Sequence, residues 1–378
     1  MTNQLRRERF LSLDVFRGMT ICFMIIVNAP GSGADPYPPL DHAPWFGFTP
    51  TDLVFPSFLF AVGNALSFTR DSYQSNAAFL QKVLKRTLII FLLGYLMYWF
   101  PFVHRQIDGG WAFKPLSQTR IMGVLQRIAL CYAAGALIVR YFSPKMTILI
   151  SLILLLGYWA LLYLLGQPGQ ELTMVHNAGT LLDIRLLGDA HLYHDKGGPV
   201  AFDPEGLLST LPAIVNVIAG YRAGVFIREK GKGDATVARM LMAGALLVFA
   251  ALLWAPFFPL AKKLWTSSFV LLTVGIDLVL LGMLIFTVEI QGWRRGVHFF
   301  LVFGKNPLVI YLLSELLLTT LQTVWVKPGL DFYDWINKIF FQVVAPGALG
   351  TLLFAIAYML LCWLVGAWMD KRKLYIKI

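Results

Sequence analysis

Charge is scarce in this chain. Asp, Glu, Lys and Arg make up 14% of its 378 residues, against about a quarter in an ordinary soluble domain. That deficit, with 57% hydrophobic residues and a mean hydropathy of +0.66, excludes a water-soluble globular protein. Cysteine is nearly absent as well. Cys22, Cys131 and Cys362 all fall in apolar stretches, which excludes a disulfide framework and a cysteine metal centre and leaves them as small core hydrophobes. No low-complexity linker, internal repeat or soluble domain interrupts the pattern. The first apolar segment carries Asp14 and Arg17 and lacks a small-x-small cleavage site, so it reads as a retained helix rather than a signal peptide.

What is present is a succession of apolar runs, each long enough to cross a bilayer core of about 30 Å. Ten spans are expected: 11–29, 52–69, 83–101, 121–140, 146–166, 207–227, 238–258, 266–288, 298–323 and 348–369. The expected fold is an all-α, polytopic membrane bundle of about ten helices forming a single domain over 1–378. Ten crossings put both termini on one face. The loops of that face carry the larger share of Lys and Arg, including Arg6, Arg7, Arg9, Arg70 and Lys377, so the positive-inside rule makes it cytoplasmic. The same rule absorbs the formal charge of +11 and removes any reason to expect nucleic acid.

Ionisable groups at membrane depth are costly, and are usually paired or functional. Asp14 and Arg17 are three residues apart and can pair along one helical face. Arg17, Arg222 and Lys305 come from three spans and are all expected near the cytoplasmic end, where a polyphosphate would satisfy them; snorkelling to the surface is the alternative. Arg127, Asp277 and Glu315 are expected deeper, Glu315 either lining a central cavity or pairing with Arg127. Eleven residues separate Arg17 from Asn28, about 16 Å of helix, so a ligand with phosphates at one and its reactive end at the other needs a long thin arm. Coenzyme A has that shape.

Two outer loops, 30–51 and 167–206, are expected to roof the bundle. The first holds Asp41-His42-Ala43-Pro44-Trp45 and ends at Asp52. Imidazole is the side chain that exchanges a proton near neutrality, and either Asp41 or Asp52 is placed to orient it. The second holds Asp189, His191, His194, Asp195, Asp203 and Glu205. Asp203-Pro204-Glu205 reads equally as an N-terminal cap of the sixth span and as a substrate contact, and Asp52 has a similar capping position for the second. His191-x-x-His194 with Asp195 lacks a rigid ligand frame, so no metal is expected.

Several blocks, in order, resemble the heparan-α-glucosaminide N-acetyltransferase family and its bacterial relatives, within a broader group of transmembrane acyltransferases. They are Leu13-Asp14-Val15-Phe16-Arg17-Gly18, Val27-Asn28, His42-Ala43-Pro44-Trp45, Thr49-Pro50-Thr51-Asp52-Leu53-Val54-Phe55-Pro56, Gly123-Val124-Leu125-Gln126-Arg127, the segment from Arg185 to Tyr193, Asp203-Pro204-Glu205-Gly206, and the segment from Lys373 to Ile378. The chain opens at the motif-bearing first span, without the luminal N-terminal region of the lysosomal enzymes. Gly304-Lys305-Asn306-Pro307-Leu308-Val309-Ile310-Tyr311 matches only in part. A bacterial envelope glycan or an imported amino sugar is therefore expected as acceptor, rather than heparan.

The resemblance implies transfer of acetyl from cytoplasmic acetyl-CoA to a glucosamine amine on the far, periplasmic side of a bacterial inner membrane. Its catalytic histidine matches His42 and its active-site asparagine matches Asn28. With the residues read above, the expected catalytic group is His42, Asn28, Asp41 and Asp52. The expected acetyl-CoA contacts are Arg17, Arg222, Lys305, Arg127 and Asn306. The expected acceptor contacts are Asp189, His191, Asp203, Glu205 and Trp45. The expected partners are acetyl-CoA, an amino-sugar or glycan acceptor, the lipid bilayer and a second copy of the chain. An amino-sugar transporter and an O-acetyltransferase of an envelope glycan are the alternatives.

Overall fold

The computed structural model describes residues 10–69, 75–105, 110–194 and 201–376. Arg6, Arg7, Arg9, Arg70, Asp195, Lys377 and Ile378 lie outside the described residues. The chain is a bundle of α-helices: α1 Leu11–Asn28, α2 Val54–Thr69, α3 Asn76–Trp99, α4 Val124–Tyr141, α5 Pro144–Leu165, α6 Ala178–Leu187, α7 Thr210–Lys230, α8 Asp234–Trp254, α9 Ser267–Leu284, α10 Val297–Lys305, α11 Pro307–Thr323, the short α12 Phe332–Ile336 and α13 Gln342–Val344, and α14 Ala348–Lys371. Two small antiparallel hairpins, β1 Val103–Arg105 with β2 Trp111–Phe113 and β3 Trp325–Lys327 with β4 Leu330–Asp331, interrupt the otherwise helical fold.

Among the described residues, eight helices are long and apolar enough to cross a membrane, and α10 with α11 make a ninth broken by an 83° bend. The tenth expected span is α3, 24 residues long, whose first half carries Lys82, Lys85 and Arg86. The protein is thus a multi-pass membrane protein, and helices stand where the apolar runs do.

Local chemistry sets the helix starts. Ser75, Ser143 and Asn177 each accept a backbone N–H from the first turn of α3, α5 and α6, through Ala78, Met146 and Thr180, which satisfies a donor that the helix cannot. The bend between α10 and α11 falls at Asn306-Pro307. Proline lacks an N–H and disfavours helical geometry in the residue before it; Asn306 sits at φ −129°, ψ 51°. The single continuous span expected over 298–323 is therefore two half-helices.

Close packing relies on glycine at two crossings. A Cβ on Gly18 of α1 would overlap the carbonyl oxygen of Phe300 in α10, and one on Gly304 would overlap that of Asp14. Gly63 of α2 and Gly220 of α7 stand in the same relation to Val217 and Phe60. Small residues let membrane helices approach backbone to backbone, where dispersion contacts rather than water exclusion hold them together.

α1 ends beside the His42 loop, and its first turns lie with the chain ends. Ser12 donates to Glu289, Lys232 pairs with Glu289 at 3.1 Å, and Lys305 pairs with Asp370. We call these the His42 face and the terminal face.

Candidate active site

The start of α2 builds the centre of the His42 face. Pro50 opens a 3-10 turn over Pro50–Leu53, with Thr49 before it. The start signal is therefore Thr49-Pro50, not a cap at Asp52. Asp52 occupies the third position of that turn and its side chain folds back on the loop. Its Oδ2 accepts N–H bonds from Thr49 at 2.9 Å and Ala43 at 3.2 Å, and the Thr49 hydroxyl at 3.2 Å. Its Oδ1 lies 2.6 Å from Nδ1 of His42. A fully buried carboxylate with these donors can only accept, so His42 donates from Nδ1 and presents Nε2 with a free lone pair. The His42 side chain is 38% exposed while Asp52 is 0%. Asp52, not Asp41, is the residue that orients His42. Asp41 instead accepts the His42 backbone N–H at 2.7 Å and, through its carbonyl, the Thr49 hydroxyl at 2.6 Å.

Two distant loops brace this segment. The Trp45 indole donates to the carbonyl of Leu172 at 2.8 Å and packs edge-on against Phe202. The Gly47 N–H donates to Leu260 at 2.8 Å. The described parts of loops 30–51 and 167–206 thus form one roof, the second containing α6.

Behind the roof lies a buried charge cluster. Arg120 holds Asp203 through two bonds at 2.9 and 2.6 Å and Glu205 through a third at 2.6 Å, with its guanidinium over the rings of Tyr98 and Tyr193. Burial works against the charge of Arg120, but Tyr98, Asp203 and Glu205 more than offset it and hold it ionised. This demand explains why Asp203 does not cap the sixth span. The helix begins at Thr210 instead, while Asp203 turns back to accept the Glu205 N–H at 3.0 Å. Lys262, on the loop between α8 and α9, lies in the fields of both Glu205 and Asp52; burial pulls its pKa down while those two carboxylates pull it up. Arg120 meets Asp203 and Glu205, and Lys262 enters the field of Glu205, only once the loops are folded.

Other expected residues have specific partners. Asn28, at the end of α1, donates to Glu315 of α11 at 3.3 Å, so Glu315 pairs there and not with Arg127. Arg127 is fully buried at the start of α4, on the His42 face, bonded to the Gly206 carbonyl at 3.1 Å and to Ser209 and lying over the Trp265 ring. That position takes it away from a phosphate mouth on the terminal face. His191 binds the Thr119 carbonyl at 2.8 Å, which ties the roof to the segment before α4, and Asp189 pairs with His194 at 3.2 Å within the roof. Asp277 accepts from Ser57 at 2.5 Å between α2 and α9.

Of the three cations expected near the cytoplasmic end, Arg17 and Lys305 have carboxylate partners, and the first pair is the one the sequence spacing allows. Arg17 pairs with Asp14. Lys305 pairs with both oxygens of Asp370, at 2.7 and 2.8 Å. Asn306 donates to the Leu374 carbonyl at 2.9 Å and accepts the Ile376 N–H at 3.0 Å. The bend is therefore clamped to the segment after α14. Among the described residues, no group of three or more His, Cys, Asp or Glu is arranged to hold a metal ion.

A multi-pass helical membrane protein carrying an Asp-oriented histidine at one end of its bundle is the class these features define. Residues 9–185, which include Asn28, His42 and Asp52, match the family described as heparan-alpha-glucosaminide N-acetyltransferase, catalytic. Two curated relatives extend the similarity over most of the chain. Heparan-alpha-glucosaminide N-acetyltransferase of Mus musculus is 26% identical over 371 residues, covering 84% of this chain and 55% of the relative. That of Homo sapiens is 26% identical over 362 residues, covering 81% and 53%. The chain spans about half the length of these relatives.

Proposed function

We propose that this protein transfers the acetyl group of acetyl-CoA to the amine of a glucosamine-type sugar at the His42 face, with His42 as the general base. The observation that carries this reading is the His42–Asp52 pair within the stretch that matches an N-acetyltransferase catalytic family. An acceptor that arrives as an ammonium first gives one proton to solvent. Nε2 of His42 then takes the proton that the amine nitrogen sheds as it attacks the thioester carbonyl. The Asn28 amide donates to the oxygen as charge builds there, the C–S bond breaks to release CoA, and His42 passes its proton to the CoA sulfur. Asp52 keeps Nδ1 protonated and stabilises the imidazolium that forms. A transient acetyl-histidine is the covalent variant of the same chemistry; trapping of labelled acetyl on His42 in the absence of acceptor separates it from direct transfer.

The terminal face supplies Arg17, Arg222 and Lys305 for the CoA phosphates, with Arg17 and Lys305 exchanging Asp14 and Asp370 for phosphate oxygens. With the terminal face cytoplasmic, acetyl crosses the bilayer to a periplasmic acceptor in a bacterial inner membrane. The test is acetylation of glucosamine by detergent-purified protein and acetyl-CoA, wild type beside His42→Ala. N-acetylated product lost in the variant while acetyl-CoA still binds supports the assignment; O-acetylated product reassigns the acceptor group. The broken α10–α11 helix favours a second reading, since half-helices line the sites of transporters. Flux of amino sugar into proteoliposomes without acetyl-CoA would establish that alternative.

A further inference from the structure

A cleft of about 520 Å³ opens on the His42 face between the end of α3, the β1–β2 hairpin and the end of α11. Its volume falls in the range of about 300–1,000 Å³ typical of small-molecule pockets, and exceeds the need of one amino-sugar ring. One wall is a face of α11. Glu315, Thr319, Gln322 and Thr323 recur at helical spacing, so the face that begins at Glu315, where Asn28 is bound, continues into the cleft at Thr319, Gln322 and Thr323. The opposite wall includes Gln118, two residues before the Arg120 that holds Asp203 and Glu205. The cleft therefore adjoins both the Asn28 group and the buried charge cluster.

Its lining has a definite chemistry. Phe100 and Trp325 supply aromatic surface, and Gln118 and Gln322 supply side-chain amides. Among the described residues, neither amide has a hydrogen-bond partner, and both residues are exposed. Lys114 and His104 line it too. The Lys114 ammonium gives one N–H to the Tyr98 carbonyl at 2.6 Å and has two more. Aromatic rings against the apolar face of a pyranose, with amides and an ammonium for its hydroxyls, is a sugar-binding combination. The Lys114 ammonium in the lining disfavours a second positive charge.

We propose that this cleft is an acceptor subsite, holding the sugar unit glycosidically linked to the reacting amino sugar, and that it takes a neutral or anionic saccharide in preference to a second amine. The inference rests on the N-acetyltransferase reading. The experiment compares glucosamine, a glucosaminyl disaccharide with a neutral second sugar, and the corresponding diamine disaccharide as acceptors. The expected result is a KM about tenfold lower for the neutral disaccharide than for glucosamine, with a smaller gain for the diamine. Gln322→Ala and Trp325→Ala should each remove most of that gain. Equal KM values for glucosamine and the neutral disaccharide, or an undiminished gain in both variants, would overturn the subsite while leaving the transferase intact. If no acceptor is acetylated, the transferase reading fails, and calorimetric titration with the neutral disaccharide decides the cleft separately. Saturable binding weakened by Gln322→Ala supports it, and no binding overturns it.

Discussion

Asp52 and His42 lie ten residues apart in sequence and 2.6 Å apart in space, the carboxylate fully buried and the imidazole over a third exposed. This geometry makes Asp52 a positioning residue. Its contact with Nδ1 sets which nitrogen of His42 carries the proton. Asp52→Asn retains the shape but presents an amide, which permits the wrong tautomer. The expected loss is about 10²–10⁴-fold in kcat, with KM little changed and the acidic limb of the pH–rate profile displaced. A variant with a wild-type profile and a raised KM would assign Asp52 to loop structure alone.

Arg120 pairs with both Asp203 and Glu205, at 2.6 Å each. Arg120→Met leaves two buried carboxylates without their partner, a change that costs about 3–5 kcal/mol in comparable buried pairs. A lower thermal midpoint in detergent is expected, with substantial recovery when Asp203→Asn and Glu205→Gln are added. Destabilisation that persists unchanged in the triple variant would trace the effect to lost packing on Tyr98 and Tyr193.

Asp183 of α6 is buried and accepts the Leu207 N–H at 3.0 Å. Burial pushes its pKa up from 3.8 to about 6. Raised in the folded state, this group contributes stability that is full below about pH 4 and lost as pH rises through about 6, amounting to about 3 kcal/mol across the window. Asp183→Asn should flatten that part of the stability profile between pH 4 and 7, measured as the difference from wild type by thermal denaturation.

Lys305 and Asp370 form a pair whose side chains are 20% and 12% exposed. If CoA phosphates draw on Lys305, Asp370→Asn removes the competing carboxylate. Acetyl-CoA affinity should then rise about three- to tenfold at low salt, and the gain should shrink as salt is added. Calorimetric titration measures this, and unchanged affinity would place the phosphates elsewhere on the terminal face.

The bundle was legible because a bilayer imposes a simple length rule. Nine of the ten apolar runs became one long helix each, including α3 with Lys82, Lys85 and Arg86 in its first half, and the run 298–323 became two. The break in the ninth was masked by apolar residues on both sides of Asn306-Pro307. The His42–Asp52 pair could be narrowed to two candidate aspartates, since both lie in one loop. Sequence could not choose between them, because the choice depends on which carboxylate the 3-10 turn buries. Contacts across long separations were out of reach. Asp370 stands 65 residues beyond Lys305, and Asp203 stands 83 beyond Arg120. Counting charges by side cannot reveal such pairs, and so Lys305 looked like a free cation and Asp203 like a cap.

The segment carrying His42 is fastened to Leu172 through Trp45 and to Leu260 through Gly47. A histidine held this way inherits the tolerances of all three segments. Random mutagenesis scored for lost activity should therefore return hits in widely separated stretches of the gene, many in residues that never meet a substrate. Chemical shifts at the imidazole should respond to substitutions more than a hundred positions away in the chain.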